Sequence, residues 1–147
     1  DKLILNQALE NFEENSTYTK SLDIKDFDIF FAKGLSLENG ASTITKFTAT
    51  LISNGMEHAH RMRQSILHKW LVCGGGRKNK YLLEGIKNNF EKISIEPIDK
   101  YEIDGDFVES QAFGYLAIRS FLKLPISFPS TTGCKRPCTG GILVKNF

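Results

Sequence analysis

The stretch Trp70-Leu71-Val72-Cys73-Gly74-Gly75-Gly76 constrains this chain more than any other. A continuous apolar run that empties into consecutive glycines is the pattern of a buried strand ending in a tight loop. Glycine there lets the backbone pass close to a flat ligand with no Cβ in the way. Leu82, Leu83, Ile86 and Phe90 then recur at helical spacing, and Ile93 and Ile95 alternate with polar neighbours until Pro97. Strand, glycine loop, helix and strand in that order form a crossover unit, which requires parallel strands. The predicted pairing sets Lys69–Cys73 beside Ile93–Ile95, with a helix over Asn79–Phe90 between them.

The rest of the chain predicts helix. Leu5, Ala8, Leu9 and Phe12 mark a helix over residues 2–12, followed by a polar, turn-like stretch at 13–23 and a short aromatic helix at 24–32. Asn39 reads as the N-cap of a long amphipathic helix running from Ser42 to about Arg63 on Ile44, Phe47, Leu51, Ile52, Met56 and Ala59. Its Thr43, Thr45, Thr48 and Thr50 lower helix propensity, so packing must hold it. Residues 107–122 are apolar nearly all round and predict a helix buried on most sides. The tail is rich in turns, with Ile142-Leu143-Val144 as a candidate third strand. Residues 1–68 are thus expected to be mainly helical, and residues 69–147 to hold the strand-loop-helix core and tail. A parallel sheet needs cover on both faces and protection at its edges. The chain is therefore expected to lack part of its own sheet, and to present an edge and an apolar face to a missing segment or to a second copy in a homodimer.

Composition narrows the partners. Among 147 residues, 41% are hydrophobic and 24% charged, the balance of a soluble globular protein, and the formal net charge is +2. Arg61 with Arg63, and Arg77 with Lys78 and Lys80, are short groupings that read as solvated surface, so no nucleic-acid partner is expected. No apolar run reaches the roughly 18 residues of a membrane span, so no membrane partner is expected either. The chain opens abruptly as an amphipathic helix without signal-peptide features, as if cut from something longer. Three cysteines without framework spacing point to a reducing, cytoplasmic setting. Cys73 reads as a core residue of its strand, and Cys134 with Cys138 lacks the second pair that a structural zinc needs. His58 and His60 lie two apart on a helix and point in different directions, and His68 has no evident acidic partner.

Gly74, Gly75, Gly76 and Asn79 are the candidate cofactor-binding residues. The helix that follows them offers N–H groups and positive potential to a phosphate or another polar group. The stretch is neither GxxxxGKS nor GxGxxG, so neither nucleotide fingerprint applies. Such a turn also occurs as a purely structural device, and Asn79 reads as well as a helix N-cap.

Four stretches, in order, carry a family resemblance. Val72-Cys73-Gly74-Gly75-Gly76-Arg77-Lys78-Asn79 with its leucine-bearing helix resembles the adenosine motif of the actin- and hexokinase-like ATPase superfamily. Asn39-Gly40-Ala41-Ser42-Thr43-Ile44-Thr45, with Phe47-Thr48-Ala49, resembles the helix start D-x-x-A-T-L-T-x-F-T-A of the anhydro-N-acetylmuramic acid kinase family. Asp104-Gly105-Asp106-Phe107-Val108-Glu109, with Ala112-Phe113 and Leu116-Ala117, resembles that family's G-D-x-x-E-A-x-A-F-x-x-L-A. Leu124-Pro125 and Phe128 through Gly133, on to Pro137 and Gly141, resemble its tail. Asn39 stands where the family usually has Asp, Ser110 where it has Ala, and Cys134 and Cys138 where it has small or aliphatic residues.

The resemblance implies an incomplete ribonuclease H-like (actin-like ATPase) lobe, an α/β unit rich in helix with a short parallel sheet. It implies an ATP- and Mg²⁺-dependent kinase that opens 1,6-anhydro-N-acetylmuramic acid with water and phosphorylates it to N-acetylmuramic acid 6-phosphate in cell-wall recycling. Glu109 is implied as a sugar-binding residue, although Asp106-x-x-Glu109 also reads as a helix capping box. No catalytic residue is expected in this chain: the family's phosphate-binding segments and water-activating aspartate are expected upstream, so the chain alone is expected to be inactive. The alternative is a non-catalytic interaction scaffold derived from such a lobe.

Overall fold

The computed structural model describes residues 1–15, 26–62, 69–89 and 94–144. Expectations at Ile24, Arg63, His68, Phe90 and Ile93 lie outside the described residues. The chain divides into two compact units, Asp1–Gly105 and Asp106–Phe147.

The first unit contains helix α1 (Lys2–Asn15), helix α2 (Leu37–Met62), strand β1 (Lys69–Val72), helix α3 (Lys80–Asn89) and strand β2 (Ser94–Pro97). Short 3-10 turns occupy Phe30–Ala32, Gly75–Lys78 and Ile98–Tyr101. The Asp1 carboxylate caps α1 by accepting from the amides of Leu3 and Ile4 at 3.0 and 3.2 Å. Helix α2 begins earlier than its apolar periodicity predicts. Its cap is Ser36, whose Oγ accepts from the Asn39 amide at 3.2 Å, so Asn39 lies inside the first turn and is not the N-cap. The threonines of α2 are accommodated because Thr43, Thr45, Thr48 and Thr50 each donate to the carbonyl four residues back, at 2.6–2.9 Å.

Packing holds α2 from two sides. Phe47 and Leu51 meet Ala8 and Phe12 of α1, with the Phe12 and Phe47 rings edge-to-face at 6.1 Å. Ala49 and Met56 meet Ile86 of α3 and Ile95 of β2. Burial of each large apolar side chain contributes about 1.5–3 kcal/mol, enough to outweigh the weak propensity of a threonine-rich helix.

The strands pair in parallel, with Trp70 opposite Ile95 and Leu71 opposite Glu96, and α3 is the crossover between them, as the sequence predicts. The sheet has two strands among the described residues. It is not buried on both sides. Trp70, Val72 and Ile95 pack with Leu82 and the α2–α3 core, whereas Leu71 is 45% exposed and Cys73 is exposed, which corrects the reading of a fully buried strand ending in a core cysteine. Side chains alternate across a strand, and the helices of this unit cover one face.

The second unit contains helix α4 (Val108–Phe121), a single helical turn α5 (Pro129–Thr132) and an isolated antiparallel bridge between Ser127 and Cys138. Arg119 Nε donates to the Pro125 carbonyl at 2.8 Å, and Ser120 Oγ to that of Gly140, which tie the tail back to α4. The predicted burial of α4 is not found. None of its residues is buried, and Phe113, Ile118 and Phe121 are 65%, 62% and 66% exposed, because the short tail supplies too little surface to cover a helix apolar all round. Ile142, Leu143 and Val144 form no strand and are likewise exposed.

Candidate functional site

The glycine turn is built from the end of β1 and the start of α3. Gly74 has φ +74°, a left-handed conformation that favours glycine, and its N–H donates to the Gly105 carbonyl at 2.8 Å. The chain then turns through Gly75–Lys78, and the Asn79 N–H donates to the Gly76 carbonyl at 3.0 Å. Gly75 differs from its neighbour. Its φ is not left-handed, and a Cβ built on it would meet nothing within 4 Å. At Gly76 a Cβ would only touch Leu82, at 3.7 Å. Neither the backbone nor the packing of this unit requires glycine at 75.

Asn79 caps α3: its Oδ1 accepts from the Leu82 N–H at 3.1 Å. Beside it, an open groove of about 690 Å³ runs between α2 and α3, lined by Ser42, Thr45, Lys46, Asn79, Tyr81 and Glu84 among others. Its α2 wall is the same stretch, Ala41 to Ala49, that carries part of the family pattern. A second cavity, about 430 Å³, lies among Phe12, Ile29, Ile44, Phe47, Leu51 and Ile52. Its apolar lining offers little to orient a polar ligand.

Arg77 was expected on the solvated surface, and it is not there. Its side chain is 7% exposed and forks onto Asp99, with Nε to Oδ2 at 2.8 Å and Nη2 to Oδ1 at 3.0 Å. Its Nη1 donates to the Gly74 carbonyl at 2.9 Å, and Asp104 lies 3.8 Å from Nη2. The hydrogen bonds from Arg77 hold the Asp99 carboxyl down at about 2, against the desolvation that raises it. The position of Arg77 directly after the glycines was the available signal. Its partner lies 22 residues away, beyond the reach of local patterns.

Glu109 belongs to the second unit, on the first turn of α4, and is exposed. The helix begins at Val108 with Phe107 as its N-cap, so Glu109 is at the second helical position rather than the third. Cys134 and Cys138 are free thiols, and no group of three His, Cys, Asp or Glu is arranged to hold a metal among the described residues. His58 and His60 are half-buried on α2. No described helix is long and apolar enough to cross a membrane.

Comparison with known proteins gives these features a context. The family model described as "Anhydro-N-acetylmuramic acid kinase" matches residues 25–146. A curated relative of that name from Pelagibacter ubique (strain HTCC1062) is 51% identical over 99% of this chain and 40% of its own length. Another, from Rhizorhabdus wittichii, is 39% identical over 97% of this chain and 38% of its own. One from Zymomonas mobilis subsp. mobilis is 38% identical over 83% and 32%. The chain therefore spans 40% or less of the length of these relatives. With a family match across the glycine turn, the α2 stretch and the Glu109 segment together, the chain belongs to the anhydro-N-acetylmuramic acid kinase family.

Proposed function

We propose that residues 1–147 are the C-terminal part of the nucleotide-binding lobe of an ATP-dependent, cytoplasmic kinase of the actin-like ATPase fold. Its substrate is 1,6-anhydro-N-acetylmuramic acid and its product N-acetylmuramic acid 6-phosphate. The observation that carries this reading is Gly75, a glycine required neither by its backbone nor by its packing, standing open at the mouth of a helix. Such a position is kept free of a side chain when something outside the fold must approach.

The residues present fit a nucleotide. Gly74, Gly75 and Gly76 leave the backbone accessible, Asn79 fixes the start of α3 and with it the positive end of that helix, and a groove lined by Ser42, Thr45, Lys46, Asn79 and Glu84 runs along the helix. In this reading the adenosine end lies nearest the glycines, and ATP, when bound, supplies the phosphoryl group. Asn79 acts through the helix start that it caps. Mg²⁺ would accompany the ATP and spread the charge of its phosphates, and no group of three His, Cys, Asp or Glu among the described residues is arranged to hold it. Glu109 hydrogen-bonds the sugar. Its carboxylate is exposed and has no hydrogen-bond or ion-pair partner among the described residues, which leaves it open to a ligand. The base that activates water belongs to a segment upstream. Sugar phosphorylation therefore requires that segment, and the exposed faces of β1 and α4 suit docking against it or in a homodimer.

The test is Gly75→Val in the full-length enzyme, with ATP affinity measured by titration calorimetry. A Cβ branch at this position should weaken binding about tenfold or more, a loss of roughly 1.4 kcal/mol, while the fold is unchanged. Unchanged affinity would show the turn to be structural only.

A further inference from the structure

Arg77 closes a ring of contacts that nothing in the reading above uses. Its guanidinium grips Asp99 with two hydrogen bonds and the Gly74 carbonyl with a third. The Gly74 N–H is held in turn by the Gly105 carbonyl at 2.8 Å, and Asp99 Oδ1 accepts from the Gly105 N–H at 3.4 Å. Gly105 is buried, and a Cβ on it would lie 2.5 Å from Arg77 Nε and 2.8 Å from Cζ. Glycine at 105 is thus the space in which the guanidinium sits. Both backbone groups of Gly74, the residue with the left-handed conformation, are fixed by this ring.

A turn of glycines has a large conformational freedom. Left alone it samples many shapes, and a ligand that selects one of them binds more weakly in proportion to that shape's population. A planar, five-donor group with low exposure is suited to remove that freedom, because its fork fixes direction as well as distance. Lysine offers a point charge and cannot hold Asp99 with two parallel bonds while also holding the Gly74 carbonyl.

We propose that Arg77 is a positioning residue of the nucleotide site. It touches no ligand, and it holds the Gly74–Gly76 turn in the single shape that receives the nucleotide, through Asp99 and the cavity left by Gly105. This inference rests on the reading of the turn as a nucleotide site.

Two substitutions test it from opposite sides in the full-length enzyme. Arg77→Lys keeps the charge and loses the fork. Gly105→Ala keeps both charged partners and displaces the guanidinium, and since φ at 105 is not left-handed the backbone accepts alanine. Each variant is assayed for ATP affinity by calorimetry, for KM(ATP) and kcat, and for the order of the Gly74, Gly75 and Gly76 amides by NMR relaxation. If the receptive shape falls to about one tenth of the population, ATP binding weakens about tenfold. The expected result is that rise in KM(ATP) in both variants, with kcat at saturating ATP nearly unchanged and the three glycine amides newly mobile. A merely structural arginine would lower the melting temperature and leave the affinity of the folded fraction intact. Wild-type affinity in a folded Gly105→Ala or Arg77→Lys enzyme overturns the proposal and leaves the glycine site standing. A wild-type enzyme whose glycine amides do not respond to ATP overturns the nucleotide reading, and the role of Arg77 falls with it.

Discussion

Gly85 of α3 lies against Ala49 of α2 so closely that a Cβ on Gly85 would come within 2.9 Å of the Ala49 Cβ. The two helices cross at this point, and Ser53 Oγ, which donates to the Ala49 carbonyl at 2.8 Å, also reaches the Ile86 carbonyl at 3.4 Å. The crossing sets the floor of the groove beside Asn79. A glycine inside a helix costs about 1 kcal/mol relative to alanine, so close approach is the physical reason for it here.

Gly85→Ala is therefore expected to destabilise the fold in spite of its better helix propensity. Overpacking costs about 1–3 kcal/mol, against a propensity gain of about 1 kcal/mol. The double variant Ala49→Gly with Gly85→Ala moves the methyl group to the other helix and should recover part of the loss. Urea denaturation of the two single variants and the double measures the coupling, and strict additivity would show that the two sites do not touch.

Asn79→Ala should remove the cap of α3 at a cost of about 1 kcal/mol, and Asn79→Ser should restore it, since an uncharged accepting oxygen is retained. If Asn79 serves the nucleotide only through the helix start, Asn79→Ser will bind ATP as the wild type does. A folded Asn79→Ser enzyme with greatly weakened ATP binding would assign the side-chain amide a direct contact.

The local elements were legible and the long-range ones were not. The crossover from β1 through α3 to β2 could be read because strand and helix periodicities are short and Gly74–Gly76 separates them. The cap at Asn79 could be read for the same reason. Ser36 caps α2 well before the apolar period begins at Ile44, so that period alone sets the helix start too far along the chain, at Asn39. Periodicity shows that the apolar sides of α4 need cover and does not show whether the cover lies in this chain, which is why its exposure was missed. Arg77 was misread because one sequence neighbourhood cannot reveal that Asp99 and Gly105 come back to it.

The ion pair with Arg77 makes a pH prediction. The Asp99 carboxyl is held at about 2, below its ordinary 3.8, chiefly by the Arg77 hydrogen bonds. A carboxyl depressed in the folded state contributes stability that is fully present above its unfolded value and is lost as pH falls through the folded one. The pair should thus be constant from pH 5 upward and fade between about 3.8 and about 2. A carbon-13 carboxyl titration should place the Asp99 midpoint near 2, and in Arg77→Gln the midpoint should move up toward 3.8. A midpoint near 3.8 in the wild type would mean that the fork is open in solution.

Glu109 carries the last prediction. It is exposed at the second position of α4 with no hydrogen-bond or ion-pair partner among the described residues. What remains of a structural role is the favourable end of the helix dipole, about 0.3–1 kcal/mol at an exposed site. Glu109→Gln keeps the size and loses the charge, so the melting temperature should fall by no more than about 4 °C. If the carboxylate hydrogen-bonds the sugar, its loss removes a charge-assisted bond of about 1.5–3 kcal/mol, or about tenfold to 150-fold in kcat/KM for the sugar. KM for ATP should not change, because the lesion is confined to the sugar. Steady-state assays of the full-length enzyme with each substrate varied in turn, beside a thermal melt, separate the two roles. A marked loss of stability with kcat/KM intact would return Glu109 to the helix, and equal losses toward ATP and sugar would place the damage in the assembly of the lobe.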